Sequence, residues 1–140
     1  MLDVGDTIIE VHGHAKQGAG FGYSGVRGLN ALLAMITTAT SALVIVAQRL
    51  RKGSTGSPRD AKRLVDDAVR TARRLLGKSR QVLVRMDSAF YGRGPVYATL
   101  AGGAQVSVTV RMDQAVKKAI TTIDYAGWTT IAYTDAVFDE

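Results

Sequence analysis

Short apolar runs that alternate with polar positions fill the first third of the chain, a pattern that favours strands over helices. LDVGDTIIEV at residues 2–11 predicts a first strand. ALLAMIT (31–37) and ALVIVAQ (42–48) predict two more, joined by a short turn. The glycine-rich stretch at 12–28 predicts a loop or an irregular hairpin, and RKGSTGS (51–57) predicts a flexible connection. The chain is therefore expected to begin with three strands and no helix.

The clearest helix follows this connection. Apolar residues from Ala61 to Leu76 recur at a spacing of three and four, which predicts one buried helical face. Ser57 suits the N-cap, Pro58 the first helical position and Asp60 the position three residues after the cap. Gly77 is a typical residue for the end of a helix.

The remaining pattern alternates strands with helices. It predicts a strand at 81–87, a helix at 94–102, a strand at 105–111, a helix at 113–121 and a strand at 128–134. Three strands without intervening helices favour antiparallel pairing, whereas the later alternation favours parallel crossovers. Both halves fit an α/β fold with a mixed sheet flanked by helices, in the element order of RNase H-like domains. In such a sheet the first strand and the strand after the first helix lie side by side.

One uncharged run, residues 28–48, is long enough to cross a bilayer. Its centre at 37–41 is TTATS, which is polar where a spanning helix is most apolar. Two strands and a turn explain the run better, so no membrane partner is expected.

Composition narrows the chemistry. The absence of cysteine excludes disulfides and thiolate metal sites and is compatible with the cytoplasm, where we expect the protein. The net charge is +6, and the segment from Arg49 to Arg80 contains eleven of the eighteen basic residues but only three acids. Such a patch favours a nucleic-acid partner, although a solvated helix face is an equal alternative on charge alone. The candidate DNA contacts are Arg49, Arg51, Lys52, Arg59, Arg63, Arg70, Arg73, Arg85 and His12.

The stretch VLVRMDSAFYG (82–92) ends an apolar strand on a carboxylate, Asp87. This aspartate is either a cap for the following turn or a metal ligand at the edge of the sheet. If an acid of the first strand, Asp3 or Asp6, lay about 5 Å away, the two carboxylates would repel by roughly 3 kcal/mol at an effective dielectric of 20. A shared Mg²⁺ or Mn²⁺ would relieve that repulsion and could support phosphodiester chemistry.

Several segments resemble the catalytic core of DDE-type bacterial insertion-sequence transposases. They are LDVGDTIIEVHGHAKQGAGFGYSGVRGLNALLA, QRLRKGS, VLVRMDSAFYG, VTVRMDQAVKKAI and WTTIAY, and they cover nearly the whole chain. The resemblance implies an RNase H-like fold and a triad of two aspartates and one glutamate that binds two divalent ions. It also implies hydrolysis and strand transfer at the ends of a mobile DNA element, with DNA as partner and a homodimer in the full-length protein.

By this resemblance Asp87 is the second acid of the triad. Relatives have an aspartate two positions before the threonine of the first strand, where this chain has Gly5. Asp3 and Asp6 remain as candidates for the first acid; Asp3 shares the face of Gly5, and Asp6 points the other way unless the strand bulges. The downstream helical glutamate has no counterpart, because Glu140 lies in VFDE. Residues 1–140 are thus expected to be a partial core, inactive in isolation.

Two further patterns leave alternatives open. Gly20 to Gly25 match GxGxxG, which would suit a small nucleotide-binding α/β module if a helix followed directly. His12 and His14 share a face of the first strand if it continues, and could hold a metal or a phosphate. The main rival to catalysis is a non-catalytic RNase H-like remnant that binds DNA by charge alone.

Overall fold

A computed structural model describes residues 1–13, 15–77 and 79–130. They form two compact units, the first from Met1 to Val110 and the second beginning at Arg111. The strands are β1 (Leu2–Glu10), β2 (Gly20–Phe21), β3 (Arg27–Thr38), β4 (Ser41–Lys52), β5 (Leu83–Met86) and β6 (Gln105–Val108). The helices are α1 (Ala61–Leu76), α2 (Arg93–Ala101) and α3 (Gln114–Thr121), with single 3₁₀ turns at Ser88–Phe90 and Tyr125–Gly127.

The sheet is mixed. Its strands lie in the order β2-β3-β1-β5-β6, and β4 also pairs with β3. β1 with β3 and β3 with β4 are antiparallel, whereas β1 with β5 and β5 with β6 are parallel. The predicted α/β class is therefore confirmed, as is the antiparallel start followed by parallel strands. The strand after the first helix lies beside the first strand, as expected.

The core lies between one face of this sheet and the helices α1 and α2. Alternate residues of the central strands, among them Leu2, Val4, Val84 and Met86, are buried against the apolar face of α1. The opposite sheet face carries the residues between them. Asp3, Gly5 and Arg85 therefore lie on the face away from α1.

The start of α1 differs from the prediction. The helix begins at Ala61 with Asp60 as N-cap, in a left-handed conformation with φ 62° and without a side-chain capping bond. Ser57 lies in a preceding turn, and its carbonyl oxygen accepts a hydrogen bond of 3.2 Å from Nη1 of Arg51. The carbonyl of Arg59 accepts from the same nitrogen. These contacts hold the backbone out of the helix, so the predicted cap at Ser57 was wrong, whereas the end at Gly77 is confirmed.

Other boundaries shift by a few residues. β3 and β4 are longer than predicted and take up the uncharged run at 28–48, whereas β5 and β6 are shorter. No helix in the described ranges has the length and apolarity needed to cross a membrane. Of the strand predicted at 128–134, the first three residues are not in a strand, and 131–134 lie outside the described residues.

Candidate functional site

Asp87 follows the last residue of β5 at the centre of the sheet. Its Oδ1 accepts a hydrogen bond of 2.7 Å from the backbone N–H of Ala89, and so it caps the 3₁₀ turn that begins at Ser88. Phe90 anchors this turn in the core, where it is almost completely buried. The capping interpretation of Asp87 is therefore confirmed. It occupies one carboxylate oxygen, and within the described ranges Oδ2 has no protein partner.

Asp3 lies on the same sheet face as Asp87. It is on the neighbouring strand β1, opposite the residue two positions before Asp87. Its direct neighbour in the register is Arg85, whose Nε donates a hydrogen bond of 2.6 Å to Asp3 Oδ1. Asp3, Arg85 and Asp87 line one depression of about 520 Å³, together with Met35 and Thr109 among others. The structure thus brings the two predicted acids to one surface, with a guanidinium already bound to one of them.

Gly5 is the residue of β1 that comes directly after its pairing with β5. That parallel pairing runs from Leu2 opposite Val84 to Val4 opposite Met86, and Gly5 and Asp87 are the next residues of the two segments. A Cβ atom at Gly5 would meet no other atom within 4 Å. The place that the resemblance gives to the first acid is therefore open but carries no ligand.

Asp6 lies on the opposite face of the sheet, in a polar cluster beneath the start of α1. Its Oδ2 accepts hydrogen bonds from Asn30 Nδ2 at 2.7 Å and from Arg51 Nη2 at 3.1 Å. The side chains of Asp6 and Arg51 are only 9% and 5% exposed. Because Asp6 and Asp87 are on different faces, they cannot share a cation. This corrects the expectation that Asp6 might complete a metal pair with Asp87.

Arg51, which was predicted to contact DNA, is likewise buried. Besides Asp6, its guanidinium donates to Asn30 Oδ1 and to backbone carbonyls of the segment before α1. Burial lowers the pKa of Arg51 below its ordinary value, and the carboxylates of Asp6 and Asp60 oppose that shift. A buried cation with its donors engaged cannot reach a phosphate. Its role is to fix β4 and the following turn to the sheet.

The sequence pattern did not indicate Asn30, the third member of this cluster. It is 1% exposed and lies in register with Ile8 on β1 and with Arg51 on β4. The available signal was an amide directly before the apolar run at 31–36, since a buried polar side chain needs partners. The partners themselves follow only from the register of three strands.

The remaining basic residues fall into two groups. Three make contacts within the protein: Arg49 and Arg70 both bind Asp67, and Arg73 donates to the carbonyl oxygens of Gly102, Gly103 and Arg80. Arg85 is paired with Asp3, as described above. Lys52, Arg59 and Arg63 are exposed and form no ion pair among the described residues. His12 is also exposed, just after β1.

The structure gives little support to the two alternative ligand sites, the glycine-rich loop and the histidine pair. Gly20 and Phe21 form β2, and the next element is the strand β3, so the helix that a dinucleotide loop requires does not follow. His14 lies outside the described residues. Among the described residues, no three histidine, aspartate or glutamate side chains form a cluster that could hold a metal ion.

Comparison of the chain with models of protein families, with curated proteins and with solved structures finds no match.

Proposed function

We propose that this chain is the RNase H-like core of a DDE-type transposase, a class that hydrolyses phosphodiester bonds and transfers strands at the ends of a mobile DNA element. One observation carries the proposal: the parallel pairing of β1 with β5 ends at Val4 and Met86, so that Gly5 and Asp87 directly follow the last pair. The two motif segments are far apart in the sequence, yet they meet at the positions where the resemblance expects two acids. The strand order β4-β3-β1-β5-β6, with helices after β4 and β5, is consistent with that fold.

The described residues do not fit a complete pair of catalytic metal ions. Gly5 provides no ligand, and Asp3 is bound to Arg85. Asp87 uses one oxygen to cap its turn. Mg²⁺ and Mn²⁺ remain the ions that such oxygen ligands would select, but no reaction step is assigned to a metal in this chain. This geometry favours a second form of the proposal, in which the core binds DNA without cutting it.

Exposed positive charge supports contact with DNA. Arg59 and Arg63 flank the start of α1 and have no acidic partner among the described residues, so their guanidinium groups are available for phosphate oxygens. Lys52, the last residue of β4, is a further exposed cation without an ion pair among the described residues. Phosphate contacts of this kind release counterions, so the affinity for DNA should fall steeply as salt rises.

The test is fluorescence anisotropy with a labelled DNA duplex at several salt concentrations. We expect the double variant Arg59→Gln, Arg63→Gln to bind more weakly and to reduce the salt slope by about two, roughly one for each lost phosphate contact. Lys117→Gln on α3 changes an exposed charge elsewhere and should leave the slope unchanged. Absence of binding at low salt, or equal binding by parent and double variant, would overturn the proposal.

A second titration separates the two forms of the proposal. If the core retains a functional metal site, Mn²⁺ should strengthen DNA binding in the parent and not in Asp87→Ala. If charge alone binds DNA, Asp87→Ala should match the parent with and without Mn²⁺. The comparison uses the same labelled duplex and one fixed salt concentration.

A further inference from the structure

The outer face of α2 is apolar and exposed. Tyr97 and Leu100 are 68% and 56% exposed, and Ala101 is exposed as well. No charged residue occurs between Arg93 at the start of α2 and Arg111. A surface helix of a globular protein normally turns polar or charged residues toward solvent. An apolar outer face therefore indicates a surface that contacts a partner.

α1 packs beside α2 and is strongly basic. It contains five basic residues and only two acids. Both acids are already paired within the protein, Asp66 with Lys62 at 2.8 Å and Asp67 with two arginines. The side chain of Arg70 is 60% exposed, and the exposed Arg74 forms no ion pair among the described residues. The outer side of α1 thus carries positive charge in excess of its own acids.

α1 and α2 enclose a groove between these two surfaces. They approach most closely at Gly102, where a Cβ would lie 2.5 Å from Cγ1 of Val69. Arg73 donates to the carbonyl oxygens of Gly102 and Gly103 and so joins α1 to the end of α2. The groove has a volume of about 580 Å³ and is lined by apolar residues of both helices and, on the α1 side, by Asp66, Arg70, Arg73 and Arg74.

We propose that this groove binds an amphipathic helix of another protein, a partner distinct from DNA, whose apolar face is edged by glutamate or aspartate. Its apolar side chains pack on Tyr97 and Ala101, which are one turn apart on α2, and its acids pair with Arg70 and Arg74 on α1. A short helix buries less surface than a permanent complex requires, so the complex is weak and reversible.

The charge and shape of the groove select an acidic helix over other occupants. A second copy of the chain would bring a net charge of +6 to the same arginines and be repelled. A DNA duplex could pair with the arginines, but its phosphate backbone offers no apolar surface to cover Tyr97 and Leu100. A lipid surface is flat on this scale and does not enter a groove between two helices. An acidic amphipathic helix satisfies both the apolar and the positive side.

The first experiment measures the fluorescence anisotropy of two labelled synthetic peptides mixed with the whole chain. Both peptides have the same length and the same helical spacing of leucines, and their edge positions are glutamate in one and lysine in the other. We expect the chain to bind the glutamate peptide and not the lysine peptide. The variant Arg70→Glu, Arg74→Glu should reverse that preference, which an unfolded protein could not do. Lys52→Glu, Arg59→Glu makes the same change of net charge at exposed positions outside the groove and should keep the parent's preference.

A second experiment tests the apolar contact with the glutamate peptide. Tyr97→Ser should weaken binding about tenfold, because one large apolar side chain is lost from the interface. Tyr23→Ser, at a loop position that is 89% exposed, removes an exposed tyrosine in the same way and should leave binding unchanged.

The proposal is overturned if the parent binds both peptides equally or neither, or if Tyr97→Ser binds the glutamate peptide as tightly as the parent. It is also overturned if Tyr97→Ser abolishes self-association of the chain in sedimentation velocity, since the occupant would then be a second copy. A loss of affinity for a labelled DNA duplex or for anionic lipid vesicles in the same variant would assign the groove to DNA or to a lipid surface instead.

Discussion

Replacing Gly5 with aspartate would put a carboxylate opposite Asp87 on the outer face of the sheet. Gly5 and Asp87 directly follow the last pair of the β1–β5 register, Val4 and Met86, and a Cβ at Gly5 would meet no atom within 4 Å. The substitution should therefore not disturb the packing of β1. Any effect on ion binding would come from the new carboxylate itself.

The size of the effect follows from the repulsion that a cation would relieve. Two carboxylates about 5 Å apart repel by roughly 3 kcal/mol at an effective dielectric of 20, and by about a quarter of that in bulk water. Asp87 is exposed, so we take a value of about 1.4 kcal/mol between these limits. Relief of that repulsion corresponds to a gain of about tenfold in affinity for a divalent ion.

Isothermal titration calorimetry with Mn²⁺ measures this gain. We expect Gly5→Asp to bind Mn²⁺ about tenfold more tightly than the parent, and the gain to disappear in the double variant Gly5→Asp, Asp87→Ala. Gly5→Asn introduces a neutral side chain of the same size and should show no gain. Thr7→Asp places the new acid on the same face of β1 but two residues further along the strand from Asp87.

Two results would refute the reasoning. If Gly5→Asp bound Mn²⁺ no better than Gly5→Asn, the two positions would not be adjacent in the way the register requires. If the gain survived the loss of Asp87, the ion would be bound elsewhere. In either case the alignment of the two motif segments would lose its functional meaning.

Two further predictions concern stability and are measured by urea denaturation. Asp6→Ala should lower the free energy of unfolding by about 3 kcal/mol, because it leaves the Arg51 cation buried without its carboxylate partner. Asp67→Ala, which breaks a partly exposed ion pair, should lower it by less than about 1 kcal/mol. Equal losses in the two variants would contradict the buried role of Asp6. Gly102→Ala should cost about 1–3 kcal/mol, since its Cβ would lie 2.5 Å from Cγ1 of Val69. Adding Val69→Ala to Gly102→Ala should reduce that penalty. An unchanged urea midpoint in Gly102→Ala would show that α1 and α2 can move apart without cost.

Much of the fold could be predicted because its signals are local. Alternation along β1, β3 and β4 and the three-and-four spacing of α1 depend only on which side chains face the core. The order of elements then restricted the pairing of strands, so the adjacency of β1 and β5 could be expected before the structure was known. The faces of Asp3 and Asp6 followed from the same alternation.

The features that the sequence did not predict depend on contacts between residues far apart in the chain. The start of α1 is set by Arg51, which draws carbonyl groups out of a segment that would otherwise suit a helix cap. The role of Asp6 was hidden for the same reason, since its partners come from β3 and β4. Neither partner can be inferred from spacing within one element. In both cases the buried guanidinium of Arg51 needs hydrogen-bond acceptors, and this need outweighs the local sequence preference.

The pairing of Asp3 with Arg85 shows why the proposed transposase fold would not by itself imply activity. A carboxylate pair at the centre of a sheet requires a cation, and a guanidinium from the neighbouring strand can meet that requirement as well as a metal ion can. Arg85 is attached to β5 and binds Asp3 directly, so the positive charge is part of the chain rather than acquired from solution. Under the proposed function, the sheet could therefore keep the architecture of a two-acid site while Gly5 supplies no acid at the first position. The fold by itself is thus no argument for catalysis, and the affinity for Mn²⁺ at Asp87 has to be measured independently of binding to DNA.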